Sequence, residues 1–156
     1  MLKRILCLIG NYLPPKLNCY FYKLAGVNLN ISNVWVGNKC YFDTQFPENI
    51  TIKDNVCISS EVTIICHFDP SESIENHLIK KYKKKIIIEE GVFIGPKTII
   101  MPGVTIKKNT FIQAGTIVTK STKENSFISG NPQKERGNFT KKRILKINSQ
   151  NKKFQF

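Results

Sequence analysis

The stretch "IICHFDP" contains the residues of this chain that are best suited to proton-transfer chemistry. Histidine can take up a proton and return it near neutral pH, so His67 suits the role of a general base. It comes directly after an isoleucine-rich segment, where a regular pattern stops and a long polar loop begins. The second histidine, His77, lies inside that loop among polar residues and has no comparable setting. The sequence therefore predicts a base at His67.

The pattern that stops at His67 has a period of six residues. Its apolar positions lie six apart on both sides of the loop: Ile52, Ile58, Ile64, Ile88, Ile94, Ile100, Ile106, Ile112 and Val118. Residues two places earlier are mostly small or β-branched: Val56, Val62, Val92, Thr98, Val104 and Thr116. An amphipathic helix would space apolar residues three and four apart, and a half-buried strand two apart. Turn-forming triplets such as "EEG", "GPK" and "MPG" interrupt the pattern every few residues.

Short strands joined by tight turns, three to a coil, account for this period. Such coils stack into a parallel β-helix, in which each inward Ile or Val packs on its counterpart in the next coil. Ordinary β-hairpins with coincidental spacing are the alternative, and the number of matching positions disfavours them. Weaker matches at Val36 and Phe42 indicate the first of four or five coils. Residues 43–49 and 67–85 break the period and are expected to loop outwards, because the inside of a coil has no room for them.

The two ends of the chain differ from the coils. Residues 1–26 are expected to form a helical cap, since "PPKLNCYFYKLAG" has prolines at a helix start and Gly26 at its end. The apolar run in "MLKRILCLIG" lacks a cleavage site, which disfavours a signal peptide, and no run is long enough to cross a bilayer. Five cysteines without a C-x-x-C pair disfavour disulfides and a zinc ribbon, so a cytoplasmic location is expected. The β-helix domain is expected over 27–137 and a basic tail over 138–156.

The net charge of +13 is concentrated in two segments. Residues 80–85 contain five lysines and the tail contains six Lys or Arg, without an acid in either, so the rest of the chain is nearly neutral. Nucleic-acid-binding surfaces usually distribute basic residues over a folded face, so no nucleic-acid partner is expected. The two segments indicate instead attraction of a phosphorylated ligand or peripheral contact with an anionic membrane surface. A solvated basic tail without a partner is the alternative.

The six-residue period and the block "VTIKKNTFIQAGTIVTKSTKENSFISGNPQK" closely resemble the hexapeptide-repeat acyltransferases. "SGNPQK" is similar to the Gly-Asn-Pro-x-Lys ending of that family, and "VTKSTKENSFISG" to the stretch that leads into it. The likeness spans residues 30–136 and is strongest to the sugar and polysaccharide O-acetyltransferases, which include the maltose and nodulation acetyltransferases. The glycine that usually follows the repeat residue is present at Gly37 and Gly95. It is replaced at Lys53, Ser59, Lys107 and Gln113.

The resemblance implies an all-β, left-handed parallel β-helix that assembles as a homotrimer. It also implies transfer of an acetyl group from acetyl-CoA to a hydroxyl of a sugar or cell-surface polysaccharide precursor. His67 matches the family's base, which acts directly and without an acyl-enzyme, and Asp43 and Asp69 are expected to contact the acceptor or His67. Backbone N–H groups around Gly95 are expected to stabilise the oxyanion. The residues expected to bind acetyl-CoA are Gly95, Pro96, Ala114, Thr119, Lys120, Lys134 and Arg136, the last in place of a basic residue where Gly137 stands.

Other activities of similar chains are disfavoured or stay open. A carbonic anhydrase of this helical type needs three histidines on zinc, and this chain has two, so no metal is expected. Serine acetyltransferases carry a large helical domain before the coils, for which residues 1–26 are too few. A sugar N-acetyltransferase acting on a nucleotide-linked amino sugar stays open, because nothing in the sequence separates amine from hydroxyl acceptors.

Two further alternatives do without a histidine base. Cys66 precedes His67 and is a candidate nucleophile, but consecutive residues of an extended strand point to opposite sides, so Cys66 is expected in the coil wall. A non-catalytic scaffold built from the same coils would not require a histidine where the loop begins. Binding of acetyl-CoA separates the scaffold from the enzyme.

Overall fold

The computed structural model describes residues 1–138, so the predicted basic tail lies outside the described residues except for Asn138. The strands follow one another around three faces of one core. Face A contains β1 (Asn28–Leu29), β4 (Ile50–Ile52), β9 (Ile86–Ile88) and β12 (Thr105–Ile106). Face B contains β2 (Val34–Val36), β5 (Val56–Ile58), β10 (Phe93–Ile94), β13 (Phe111–Ile112), β15 (Ser126–Ser129) and β16 (Lys134–Asn138). Face C contains β3 (Tyr41–Phe42), β6 (Thr63–Ile64), β11 (Ile99–Ile100) and β14 (Ile117–Val118).

Neighbouring strands on each face come from successive coils and pair in parallel, so the chain winds through four coils and enters a fifth. On face A, for example, Ile52 is paired with Ile88, and Ile88 with Ile106. The exception is β16, which runs antiparallel to β15. The predicted parallel β-helix of hexapeptide repeats is confirmed, and the arrangement fits the left-handed form.

The six-residue period is the period of the core. Every inward position predicted from Val36 to Val118 is buried, and so are the small and β-branched residues two places earlier. Two of those earlier residues are threonines, and their hydroxyls need a partner in an apolar core. Thr98 Oγ1 donates to the Gly95 carbonyl and Thr116 Oγ1 to the Gln113 carbonyl, both at 2.7 Å, which also holds the turn that precedes each strand.

The turns explain the other half of the repeat. The last residues of the five triplets from "EEG" to "QAG" all have positive φ: Gly91, Lys97, Gly103, Asn109 and Gly115. Glycine and asparagine tolerate this left-handed conformation, which accounts for their recurrence every six residues. Gly95 is required for another reason. A Cβ at Gly95 would lie 2.5 Å from the backbone nitrogen of Ala114 in the next coil, so adjacent turns pack together without room for a side chain.

Two helices cover the end of the β-helix at the first coil, within the residues 1–26 that were predicted to form a helical cap. They are α1 (Leu2–Tyr12) and α2 (Leu17–Ala25), which ends at Gly26 with φ 116°. The ring of Tyr22 stacks on Phe42 of the first coil at 4.1 Å between ring centroids. The Asn18 side-chain amide donates to the carbonyl of Val36 at 2.9 Å. Among residues 1–138, no helix combines the length and the hydropathy of a membrane span.

Both segments that break the period have some structure of their own, but only the longer one projects from the coils, since Asp43, Thr44 and Pro47 of the shorter one are buried. Residues 43–49 end in a 3-10 turn, Pro47–Asn49. In the longer segment, β7 (His67–Phe68) and β8 (Tyr82–Lys83) pair antiparallel, with α3 (Glu72–His77) between them. His67 is therefore the first residue of the projecting loop and is held by the coil on one side and by β8 on the other.

Candidate active site

His67 and Asp43 form the central contact of the site. Asp43 follows strand β3 and His67 follows strand β6, both of face C. The first two coils stack, which brings the two residues together. His67 Nδ1 lies 2.5 Å from Asp43 Oδ2. An ionised carboxylate can only accept hydrogen bonds, so Nδ1 carries the hydrogen, and Nε2 keeps its lone pair in the neutral ring.

The Asp43 carboxylate is fully buried, and its charge is held by hydrogen bonds from four donors. Besides the His67 ring, the backbone N–H groups of Cys66, Gln45 and Phe46 donate to it at 2.8, 2.9 and 3.2 Å. Burial alone would raise the pKa of Asp43, but these hydrogen bonds outweigh it and lower the pKa below its ordinary value. Asp43 is thus an ionised group that orients His67 from inside the protein, and no face of its side chain is open to an acceptor.

The second ring nitrogen of His67, Nε2, lies at a cleft of about 350 Å³. The Gln45 side-chain nitrogen is 3.2 Å from His67 Nε2, and the Phe46 ring contacts the imidazole edge-on at 5.4 Å. The cleft is lined by Gln45, Phe46, His67, Phe68, Asp69, Lys81, Tyr82 and Lys83. Asp69, predicted beside His67, is exposed on this lining, and Phe68 stacks on Tyr82 at 5.7 Å across the β7–β8 pair.

Cys66 is a wall residue, as expected. Its side chain is fully buried, and burial together with the nearby Asp43 carboxylate raises the pKa of the thiol to about 12. A thiolate is the nucleophilic form of cysteine, so this thiol is unsuited to covalent catalysis. His77 lies on α3, is exposed, and its Nδ1 contacts the Ser73 carbonyl at 2.8 Å, away from the cleft lining.

The residues predicted to bind the donor lie at two edges of the β-helix and on strand β16. Gly95, Pro96 and Ala114 lie together at the B–C corner, the edge formed by the turns between faces B and C, where the N–H of Gly115 donates to the Pro96 carbonyl at 2.9 Å. The Gly95 N–H itself donates to the Ile112 carbonyl at 2.8 Å. The strand ladder therefore already uses this N–H, and stabilisation of the oxyanion by other N–H groups around Gly95 stays a prediction.

Thr119 and Lys120 lie at the C–A corner, the edge formed by the turns after the face-C strands, which is also the edge of His67. Both side chains are exposed, but their backbone N–H groups donate to Gln133 Oε1 at 2.7 and 3.0 Å. These two N–H groups are therefore not free for a ligand, whereas the side chains are accessible. Lys134 and Arg136 are exposed on β16, and Arg136 Nε donates to Ser129 Oγ at 2.9 Å.

Sequence reasoning missed Gln45, Phe46 and Gln133. Gln45 and Phe46 lie in a segment where the period fails, and only the stacking of coils one and two shows that this segment faces His67. The "x" of "GNPQK" is Gln133, whose amide holds the turn at Thr119 and Lys120. Among residues 1–138, the His, Cys, Asp and Glu side chains form no group of three that could hold a metal ion.

This parallel β-helix of six-residue repeats has the fold of hexapeptide-repeat proteins. The family model described as "Bacterial transferase hexapeptide (six repeats)" matches residues 85–120. A search of curated protein sequences gave no match.

Solved structures with this fold include several acetyltransferases. A maltose O-acetyltransferase from Clostridium difficile 630 is 25% identical with a TM-score of 0.63, over 89% of this chain and 85% of that one. A galactoside acetyltransferase in complex with coenzyme A is 26% identical with a TM-score of 0.68, over 90% of this chain and 80% of that one. A hexapeptide-repeat acetyltransferase from Vibrio cholerae O1 biovar eltor, complexed with acetyl coenzyme A, is 17% identical with a TM-score of 0.61, over 88% and 85%. The predicted resemblance to the hexapeptide-repeat acyltransferases is confirmed by the family model and by the maltose and galactoside acetyltransferases.

Proposed function

We propose that this protein is an acetyl-CoA-dependent O-acetyltransferase that acts on a hydroxyl of a sugar or of a cell-surface polysaccharide precursor. The observation that carries the proposal is the His67–Asp43 pair, in which the carboxylate holds Nδ1 and the ring lines an open cleft. The maltose and galactoside acetyltransferases, which share the fold at 25% and 26% identity, support the donor and the acceptor class. The expected location is the cytoplasm, where acetyl-CoA is made.

The proposed reaction is a direct transfer. The acceptor hydroxyl takes the place of the Gln45 amide at His67 Nε2 and loses its proton to that nitrogen as its oxygen attacks the thioester carbonyl. The imidazolium that forms is stabilised by the buried Asp43 carboxylate. Collapse of the tetrahedral intermediate breaks the carbon–sulfur bond, and His67 returns the proton to the departing thiolate of coenzyme A. The products are an acetyl ester and free coenzyme A, and the enzyme returns to its starting state.

A homotrimer accounts for the separation of Gly95, Pro96 and Ala114 from the base. The B–C corner and the C–A corner lie about six residues apart along one coil, or about 20 Å at the rise of an extended strand. One chain therefore holds His67 on one edge and Gly95, Pro96 and Ala114 on another. In a trimer the B–C corner of a neighbouring subunit can face the His67 cleft, so that acetyl-CoA binds between two chains.

Apolar side chains on the outer surfaces beside the B–C corner support such an assembly. On face B, the residues paired in register and pointing outwards are Trp35, Cys57, Phe93, Phe111 and Phe127. The Phe93 and Phe111 rings stack at 4.8 Å, and Phe127 meets Phe111 edge-on at 5.4 Å. On face C, the outward Ile99 and Ile117 are paired in the same way. Aromatic surfaces of this kind are enriched in protein–protein interfaces.

The cleft lining indicates the chemistry of the acceptor. Phe46, Phe68 and Tyr82 supply apolar ring surfaces, while Lys81 and Lys83 bring positive charge and Asp69 an acceptor of hydrogen bonds. Two lysines against one exposed acid favour a glycan that carries negative charge, such as a phosphate or a carboxylate. This gives the predicted lysine run at residues 80–85 a role in attracting a phosphorylated ligand.

The test is release of coenzyme A from acetyl-CoA in the presence of sugars, lipid-linked glycans and polysaccharides, with product analysis by mass spectrometry. We expect an acetyl product that mild alkali removes, as an ester, and a preference for acidic acceptors. An alkali-stable product would be an amide and would establish the alternative N-acetyltransferase acting on an amino sugar. Absence of acetyl-CoA binding would contradict the proposed acetyltransferase activity and favour a non-catalytic scaffold.

A further inference from the structure

The outer surface of the α1–α2 cap is apolar on the side that faces away from the β-helix. On α1 the buried face carries Cys7 and Gly10, while the opposite face exposes Leu2, Ile5, Leu8, Ile9 and Tyr12 by 41–82%. Their spacing of three and four residues forms one continuous helix face. On α2, Leu17, Tyr20 and Leu24 are exposed by 47–53%, opposite the buried Asn18, Cys19, Tyr22 and Ala25. We define these eight exposed residues as the cap face.

Basic side chains outnumber acidic ones around the cap face. The first 42 residues of the chain contain five basic residues and no acid, the basic ones being Lys3, Arg4, Lys16, Lys23 and Lys39. One of them, Lys3, is paired with Glu48 at 3.2 Å. Arg4 and Lys23 are exposed on the two helices that carry the cap face. An apolar helix face bordered mainly by basic side chains is the composition of helices that lie in the interface of an anionic bilayer.

The dimensions of the cap also fit a bilayer surface. Helix α1 has 11 residues and α2 has 9, so each is too short to span a bilayer but suited to lie along its surface. The large apolar residues include Tyr12 and Tyr20, whose amphipathic rings are suited to the headgroup level. Arg4 and Lys23 have side chains long enough to reach phosphate groups while the helices lie in the interface.

We propose that the cap face binds the surface of an anionic lipid bilayer, with the axis of the β-helix directed away from it. The Lys3–Glu48 pair joins the cap to the 43–49 segment that carries Asp43, Gln45 and Phe46. Binding through the cap therefore places the His67 cleft beside the membrane. This surface is separate from the lysine run and the basic tail that the sequence suggested for membrane contact, and it does not depend on the acetyl-transfer activity.

Sedimentation of the full chain with sucrose-loaded vesicles tests the proposal, using phosphatidylcholine alone and phosphatidylcholine with about one-third phosphatidylglycerol. We expect binding to the anionic vesicles that weakens with salt. The double variant Ile5→Gln/Leu8→Gln should bind about tenfold more weakly, because it removes apolar contact from exposed positions without touching the core. Arg4→Gln/Lys23→Gln should show a similar loss at low salt and a smaller salt dependence.

Two matched controls keep the test specific. Leu78→Gln/Ile79→Gln removes apolar side chains of the loop that are at least as exposed as Ile5 and Leu8. Lys108→Gln/Lys123→Gln removes two charges from the fourth coil and the turn after it. Both should bind vesicles like the unmodified chain. The proposal is overturned if the full chain does not bind anionic vesicles at low salt, or if both cap variants bind unchanged. A change of oligomer mass in the cap variants would identify the cap face as a contact between copies and would also overturn it.

Discussion

Asp43 Oδ2 and His67 Nδ1 lie 2.5 Å apart, on turns of the first and second coils, with the carboxylate fully buried and the ring at the cleft. The carboxylate fixes the ring orientation from behind, and the three backbone N–H groups that also bind it hold it in place. Because Asp43 belongs to the first coil and His67 to the second, the pair forms only when the second coil stacks on the first.

Replacing His67 by Ala should lower kcat by about a hundredfold or more, the usual contribution of a general base, and leave the KM for acetyl-CoA nearly unchanged. His77→Ala is the matched control, since His77 is exposed on α3 and outside the cleft lining. Steady-state kinetics with saturating acceptor measure both variants. Turnover by His67→Ala close to that of the unmodified enzyme would exclude the proposed base.

Asp43 should make the stability of the protein depend on pH in acid. Its folded-state pKa is lowered below the unfolded value of about 3.9, so the ionised group stabilises the fold fully above that value. The contribution is lost as the pH falls through the folded-state pKa. Asp43→Asn should therefore cost about 1–3 kcal/mol at neutral pH, the range for charge-assisted hydrogen bonds, and progressively less below pH ~4.

Thermal unfolding midpoints of both proteins at one concentration, from neutral to acid pH, give this dependence. Asp69→Asn is the control, because Asp69 is exposed and its replacement should leave the midpoint nearly unchanged throughout. A difference between the Asp43→Asn variant and the unmodified protein that stays constant down to pH ~3 would show that folding does not lower the pKa of Asp43.

Removing the side-chain charges of Lys120 and Lys134 should raise the KM for acetyl-CoA, by about tenfold for the double alanine variant, since both are exposed and the donor carries phosphates. The effect should be largest at low ionic strength, because salt screens exposed charges. Lys53→Ala/Lys108→Ala, at the corner between faces A and B, is the charge-matched control. Equal KM values for the two double variants would remove Lys120 and Lys134 from the donor site.

Phe111→Asp should dissociate the proposed trimer, because it introduces a charge among the stacked rings on the outer surface of face B. Light scattering after gel filtration measures the mass, and activity should fall with it if acetyl-CoA binds between chains. Tyr12→Asp places the same charge on the cap face and should leave the mass unchanged. A Phe111→Asp variant that keeps both its mass and its activity would contradict this assembly.

The coils follow directly from the sequence. Each coil repeats the same local structure, so the sequence repeats with it. An apolar residue points inward every six positions, and a turn that favours glycine or asparagine also recurs every six positions. The repeat positions from Ile52 to Val118 are buried, and Gly91, Asn109 and Gly115 have positive φ at the turns. His67 could also be singled out, because the chain leaves the repeat at that residue.

The surroundings of His67 could not be predicted in the same way, since they come from residues 21 to 24 positions earlier. The segment at 43–49 has no period of its own, and Asp43, Gln45 and Phe46 reach the histidine only because the second coil stacks on the first. The same stacking directs the Gly95 N–H into a strand ladder and leaves it unavailable to an oxyanion. Local pattern specifies the coil, whereas contact between coils decides which side chains and which backbone groups meet at its edges.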